Sequence, residues 1–122
     1  MKRWYSLNDV ERSNPVVAIG VYDGVHRGHR TLVRRALADA RAADRPVVVL
    51  TFDPNPAEVV RPEPPTRLST LAQRLLLLEW LGVDATLVLP FDQDTSRQSP
   101  RQFVAEVLVE SLGASAVVVG EN

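Results

Sequence analysis

Four short apolar runs predict β-strands, the first two of them buried. They cover residues 16–21, 47–52, 85–89 and 116–119, and none of them contains a charged side chain. A short run of this kind, rich in β-branched and aliphatic residues, is typical of a strand that is covered on both faces. Between the runs, apolar residues recur at a helical period instead.

The segment after the first run predicts a helix over residues 28–43. Its apolar positions recur at i, i+1, i+4, i+5 and i+8, which places them on one face of a 3.6-residue period. Residues 44–46, with their aspartate and proline, stop the helix before the second run. The predicted apolar face consists of Leu32, Val33, Ala36, Leu37 and Ala40.

A leucine-rich segment predicts the second helix. Thr70 and Gln73 have the spacing of a capping box, which opens a helix, and Gly82 has the position of a residue that ends one. The leucines at 75–78 and the nearby Trp80 are expected to belong to the core.

The third predicted helix begins at Ser99, which is followed by a proline at the first helical position and by Gln102. Gly113 closes this helix. Its predicted apolar face is Phe103, Val104, Val107, Leu108 and Leu112.

Strands that alternate with helices predict an α/β fold, with a mostly parallel sheet, right-handed crossovers and helices on both faces. Residues 53–67 interrupt the alternation, since they hold five prolines and no periodic pattern. The simplest interpretation is a stiff surface loop, although a loop of this length is often functional.

Composition narrows the class of protein. The chain has 122 residues, 45% of them hydrophobic and 24% charged, which fits one globular domain. A net charge of −1 argues against general nucleic-acid binding, and the lack of cysteine excludes disulfides and thiolate zinc sites. No run is long enough to span a membrane, and the N-terminus does not have the pattern of a signal peptide. We therefore expect a cytoplasmic protein.

The first run ends in a glycine turn that carries the candidate chemistry. Glycines stand at 20, 24 and 28, and His26 and His29 lie three residues apart where the helix should begin. Free N–H groups and the positive end of the helix dipole converge at such a turn, so it predicts an anion site. Both imidazoles lie on one side of the first turn and can reach the same phosphates.

Other interpretations of this turn remain open. The glycine spacing does not match the dinucleotide fingerprint, and no Gly-Lys-Ser/Thr sequence follows, so two common phosphate loops are excluded. Histidines three apart also occur as surface or capping residues, and Asp23 could simply accept hydrogen bonds from N–H groups of the turn. A zinc site is weakly supported, because no third ligand stands at a recognisable spacing.

The string His26-Arg27-Gly28-His29 resembles the signature of the nucleotidylyltransferase superfamily. The longer string at residues 20–29 is similar to that of the FMN adenylyltransferase (FAD synthetase) module of the bacterial bifunctional riboflavin kinase/FAD synthetase family, with Tyr22 in place of the usual Phe. Residues 51–56 resemble the family's Thr-Phe-Asp-Pro-His-Pro, with Asn55 in place of His. Residues 117–122 also fit the family's order, whereas residues 94–96 depart from its pattern.

The resemblance implies a Rossmann-like nucleotidylyltransferase fold and transfer of AMP from ATP to the phosphate of FMN, with FAD and pyrophosphate as products. It implies that Mg²⁺ accompanies ATP, and it names no protein ligand for the metal. The implied catalytic residues are His26 and His29. The implied ATP-binding residues are Gly20, Val21, Tyr22, Asp23, Gly24, His26, Gly28 and His29. The implied flavin-binding residues are Asp53, Pro54, Asn55, Pro56 and Asn122.

The resemblance also predicts that residues 1–122 are part of an adenylyltransferase domain, incomplete at its C-terminus. In the family a riboflavin kinase domain follows, and this chain does not contain it. We expect residues 1–122 alone to be inactive. Two alternatives stay open: a superfamily member that transfers a nucleotide to a different phosphate, and a nucleotide-binding fragment without turnover. The sequence carries no signal for an oligomeric state.

Overall fold

Five strands form one parallel sheet in the part of the chain that this computed structural model describes, residues 1–20, 27–53, 70–90 and 99–119. The strands are β1 (Lys2–Trp4), β2 (Val16–Ile19), β3 (Val47–Phe52), β4 (Ala85–Leu89) and β5 (Ala116–Val119). The bounds of β3, β4 and β5 agree with the predicted runs. The first predicted strand ends at Ile19, and residue 21, its expected last residue, lies outside the described residues.

The sheet has the strand order β1-β4-β3-β2-β5, and all of its pairings are parallel. Strand β2 lies between β3 and β5, so that Val16 is paired with Val47 on one side and with Ala116 on the other. The α/β class and the parallel sheet are therefore confirmed.

Helices occupy the connections, as predicted. Helix α1 is Arg27–Ala42 and helix α2 is Leu71–Leu81. Helix α3 begins as an α-helical turn, Pro100–Phe103, and continues as a π-helix, Val104–Leu112. A short 3₁₀ turn, Leu7–Asp9, follows β1.

The helices cover both faces of the sheet, which confirms the expected layering. On one face, buried side chains of α1 and α2 pack against alternate residues of β2 and β3, among them Val33, Ala36, Leu78, Val16 and Val47. On the other face, α3 packs against the intervening strand residues, among them Val107, Leu108, Val17, Val48 and Leu50. The alternation follows from the two-residue side-chain period of a strand.

Polar side chains close the helix ends at the predicted positions. The Gln73 N–H donates to Thr70 Oγ1 over 3.1 Å and the Thr70 N–H donates to Gln73 Oε1 over 2.8 Å, a complete capping box. Ser99 and Gln102 exchange the same pair of bonds, over 3.1 and 3.0 Å. These local signals are readable in sequence because all partners lie within one turn.

Two expectations are wrong, and the sequence did not predict one strand. Strand β1 was not anticipated, because Lys2 and Arg3 are exposed and only Trp4 of this edge strand is buried. Val104 is exposed, since the π-helical winding of α3 is wider than the 3.6-residue period assumed for its apolar face. On α2, Trp80 is 74% exposed and Leu76 60% exposed, whereas Leu75 and Leu78 are buried. A helix on the surface of a sheet buries one stripe, and these two side chains lie outside it.

Gly82 and Gly113 end α2 and α3 in the left-handed region, with φ of 99° and 64°. At Gly113 an added Cβ would contact the Arg12 side chain and lie 3.1 Å from Asn14 Oδ1, whereas at Gly82 it would meet open space. We expect Gly82→Ala to cost about 1–2 kcal/mol in backbone strain alone, and Gly113→Ala to cost more because Arg12 must also move. Urea unfolding of both variants measures the difference, and equal losses would contradict the contact argument.

Candidate functional site

The direction of the chain through the sheet reverses between β2 and β5. From β2 the chain proceeds to β3 and then β4 on one side, and then returns to place β5 on the other side of β2. In open α/β sheets, ligands bind beyond the carboxyl ends of the strands at such a switch point. The predicted glycine turn leaves the sheet here, because Gly20 directly follows β2 and its N–H donates to the Leu50 carbonyl over 3.0 Å.

Helix α1 begins close after this turn. Its first residues are Arg27, Gly28 and His29, so the backbone of Gly28 and His29 belongs to the first helical turn. The first four N–H groups of an α-helix have no partner within the helix and can bind an anion. With 16 residues, α1 is long enough for a substantial dipole.

Several predicted site residues lie outside the described residues. They are Val21, Tyr22, Asp23, Gly24 and His26 of the glycine turn, Pro54, Asn55 and Pro56 of the proline-rich segment, and Asn122. The side chain of His29 is also outside the description. Their roles stay predictions. Of the remaining candidates, Gly20, the start of α1 and Asp53 all lie at the carboxyl edge of the sheet, which is the edge that the predicted site requires.

Asp53 follows β3 directly and is held by both its backbone and its side chain. Its N–H donates to the Leu89 carbonyl at the end of β4, over 3.1 Å. Its carboxylate Oδ1 lies 3.3 Å from Nη2 of Arg74, a residue of α2. The first residue of the predicted flavin-side segment is therefore fixed to the neighbouring strand and to a helix.

Arg74 contacts the candidate site residue Asp53, and the sequence analysis did not predict this. Its side chain is almost fully buried, and its Nη1 also lies 3.4 Å from Thr51 Oγ1 and 3.4 Å from the Phe52 carbonyl oxygen. These two distances are long for hydrogen bonds. The strongest attraction is therefore that between the Arg74 guanidinium and the Asp53 carboxylate, whose side chain is partly exposed to water. Arg74 thus holds the last residues of β3 where the chain leaves the sheet.

A signal for Arg74 was present in the sequence. It directly precedes Leu75 and lies four residues before Leu78, so it falls on the stripe of α2 that the core buries. Arginine is seldom fully buried unless it is paired, and an arginine on an apolar stripe therefore predicts a buried acidic partner. Only the folded structure shows that this partner is Asp53.

Within residues 1–20, 27–53, 70–90 and 99–119, no group of three or more His, Asp or Glu side chains is arranged to hold a metal ion. In the same ranges, no helix has the length and apolar character needed to cross a membrane.

Comparison with known proteins identifies the family. The model of the FAD synthetase family matches residues 8–122, nearly the whole chain. The chain belongs to the FAD synthetase family. The matched range includes the glycine turn, Asp53 and Arg74.

The relatives of this FAD synthetase family member are named as bifunctional enzymes. The chain is 33% identical over 119 residues to the bifunctional riboflavin kinase/FMN adenylyltransferase of Escherichia coli K12, which covers 97% of this chain and 38% of that protein. It is 37% identical over 113 residues to the protein of the same name from Pseudomonas fluorescens, covering 92% of this chain and 36% of that protein. The chain therefore spans less than two fifths of the length of these relatives.

A solved structure has the same fold as this FAD synthetase family member. It is the crystal structure of a protein from Streptococcus pneumoniae named as a macrolide-efflux protein, and it superposes with a TM-score of 0.81 at 26% identity. The superposition covers 96% of this chain and 46% of the other. The name applies to the Streptococcus pneumoniae protein alone, and the likeness supports the Rossmann-like class expected from the sequence.

Proposed function

We propose that the protein containing this chain transfers AMP from ATP to the phosphate of FMN, producing FAD and pyrophosphate. The observation that carries the proposal is the FAD synthetase match over residues 8–122. The position of Gly20 and of the start of α1 at the switch point of the sheet supports it, because a nucleotide phosphate is expected to bind there.

The reaction is a displacement at phosphorus. An oxygen of the FMN phosphate attacks the α-phosphorus of ATP, a new P–O bond forms, and the bond to pyrophosphate breaks. The FMN phosphate is already ionised at neutral pH and pyrophosphate is a good leaving group, so no covalent enzyme intermediate is needed. Catalysis then consists mainly of positioning and of stabilising the charge that develops on the phosphoryl oxygens.

The ATP side of the site is assigned to the glycine turn and the first turn of α1. In this proposal, Gly20 to Gly24 line the nucleotide, while His26 and His29 donate hydrogen bonds to the phosphates. The backbone N–H groups at the start of α1 add the positive end of the helix dipole. Mg²⁺ would enter with ATP as part of the substrate and would offset part of the negative charge of its phosphates.

The flavin side is assigned to Asp53, Pro54, Asn55, Pro56 and Asn122. Support for the assignment of Asp53 comes from its fixed position at the end of β3, next to the strand that leads into the glycine turn. Its bonds to β4 and to Arg74 fix Asp53 itself at this edge of the sheet.

The relatives also support a proposal for the organisation of the whole protein. We place residues 1–122 within an adenylyltransferase domain, with riboflavin kinase activity in a separate domain of the whole protein. A cytoplasmic location is consistent with the cysteine-free composition and with small-molecule substrates.

The fate of the α-phosphate of ATP tests the proposed function. With α-labelled ATP and FMN, we expect the label in FAD and the unlabelled β- and γ-phosphates in pyrophosphate. Riboflavin should not accept AMP in place of FMN, because it lacks the attacking phosphate oxygen. A parallel reaction with CTP serves as the control. Transfer from CTP rather than ATP would assign the chain to another branch of the nucleotidylyltransferases and overturn the proposal.

A further inference from the structure

Helix α2 presents two large apolar side chains to solvent. Leu76 and Trp80 lie one turn apart on its outer surface, and both are exposed. Single exposed apolar side chains are common on proteins, whereas adjoining ones form the kind of patch that marks a contact site. Tryptophan is also among the residues most enriched at the centres of protein interfaces. The outer surface of α2 is therefore a candidate contact surface.

The neighbouring end of α1 adds arginines to this surface. Arg41 and Arg45 line a cavity of about 500 Å³ together with Gly82, which ends α2 two residues after Trp80. Both arginines are exposed, and neither forms an ion pair with a residue that the structure describes. Arginine, like tryptophan, is enriched in interfaces. We call Leu76, Trp80, Arg41 and Arg45 the α1–α2 face.

The charge around the α1–α2 face is positive. Within residues 30–45, five arginines and two aspartates are exposed, an excess of three positive charges. These residues are Arg30, Arg34, Arg35, Arg41, Arg45, Asp39 and Asp44. The acidic residue of α2, Glu79, is already paired with Arg3 and with the N-terminal amino group. Asp84, which also lines the cavity, accepts a hydrogen bond from the Val47 N–H. A partner for this face should therefore be acidic.

The outer surface of α3, on the opposite side of the sheet, has the complementary character. Val104 and Val109 are exposed apolar side chains, and Glu106 and Glu110 are exposed acidic residues of the same helix. The basic residue of α3, Arg101, lies in its first turn. We call Val104, Glu106, Val109 and Glu110 the α3 face. One chain thus carries an apolar surface with positive charge on one side of its sheet and an apolar surface with negative charge on the other.

We propose that the α1–α2 face of one copy of this protein binds the α3 face of a second copy. Trp80 then packs against the exposed valines, and the arginines lie opposite the glutamates. Contact between two identical faces is disfavoured, because each face would meet its own charge. Since the two faces differ, each copy can bind two neighbours, and the assembly continues into a ring or a chain. The inference is independent of the proposed function, because neither face contains a residue assigned to ATP or FMN.

Sedimentation velocity of the full-length protein tests the contact. Wild type should self-associate as its concentration rises. Trp80→Ala and Arg41→Glu should each raise the dissociation constant about tenfold or more, the usual effect of removing an interface anchor. The matched controls are Trp80→Phe, which keeps an aromatic ring, and Arg41→Lys, which keeps the charge. Both should associate nearly as wild type does.

A mixing experiment tests whether the two faces bind each other. Glu110→Arg should weaken self-association as Arg41→Glu does, because it places a positive charge opposite the arginines, whereas Glu110→Asp should not. Each of the two charge-reversal variants keeps one unchanged face. An equimolar mixture of Arg41→Glu and Glu110→Arg should therefore form a one-to-one complex with an affinity close to that of the wild-type contact, although neither variant associates with itself.

Thermal unfolding checks that each variant is folded, and Trp80→Ala replaces Arg41→Glu in the mixture if the latter does not fold. A wild-type protein that stays monomeric would overturn the proposal. Self-association that Glu110→Arg leaves unchanged would show that α3 is not the partner surface and would also overturn it. A mixture that fails to associate would do the same, since the α1–α2 face would then bind its own kind or another partner.

Discussion

His29→Ala should lower the rate of FAD formation by about 10²-fold or more in the full-length protein, the usual loss when one donor to developing phosphoryl charge is removed. His29 belongs to the first turn of α1, where the N–H groups already favour an anion. In its proposed role His29 faces a phosphate rather than the core, so we expect its removal to leave the fold intact. Steady-state kcat measures the loss, and circular dichroism checks the fold.

His26→Ala should cause a similar loss, and the double variant should lose less than the product of the two single effects, because both imidazoles act on one developing charge. Arg34→Ala provides a control on the same helix, since Arg34 is exposed one turn further along. Turnover near wild type in His29→Ala would remove this residue from the mechanism and leave His26 and the helix N-terminus as the remaining sources of stabilisation at that turn.

The sequence predicted those parts of the fold that depend on residues close together in the chain. The observed bounds of β3, β4 and β5 match the predicted ones because each strand is an uncharged apolar run between polar segments. The capping residues Thr70 and Ser99 agree because a cap and its partners lie three residues apart. Hydrophobic periodicity and capping depend only on residues that are close in the chain, so they predict the same elements whatever the tertiary fold.

Features that depend on distant residues were not predictable in this way. Strand β1 exists because the Lys2 N–H donates to the Asp84 carbonyl over 2.9 Å and Trp4 packs beneath α3, contacts that connect the N-terminus with residues 84–112. The exposure of Trp80 has the same origin, since the single stripe of α2 that meets the sheet is set by packing rather than by hydrophobicity. Tertiary context decides such cases.

In the candidate site, too, features marked by local motifs could be predicted and features that depend on distant residues could not. Sequence motifs marked the glycine turn and Asp53, and the sheet brings Gly20, the start of α1 and Asp53 to one edge. The motifs could not reveal Arg74, which reaches Asp53 across 21 residues of chain. Residues from separate segments of the chain meet only in the fold, so no local motif can mark them.

The pair formed by Asp53 and Arg74 gives the largest expected effect on stability. Asp53→Ala removes the carboxylate that faces a guanidinium only 2% exposed, and loss of one partner from a buried ion pair costs about 3 kcal/mol or more. Arg74→Met should cost less, about 1 kcal/mol, because the Asp53 side chain is 30% exposed and water can solvate its charge. Methionine also retains much of the apolar packing of the arginine stem.

A double-mutant cycle separates the ion pair from the separate contributions of the two side chains. The variant with both Asp53→Ala and Arg74→Met should be more stable than Asp53→Ala alone, since it no longer buries a charge that has lost its carboxylate. Arg74→Lys keeps the charge but not the planar fork that reaches Thr51, Phe52 and Asp53, so its stability should fall below wild type. Urea unfolding monitored by circular dichroism measures all four variants. If Asp53→Ala lost no more stability than Arg74→Met, the guanidinium would not depend on this carboxylate, and the role of Arg74 in holding the end of β3 would be wrong.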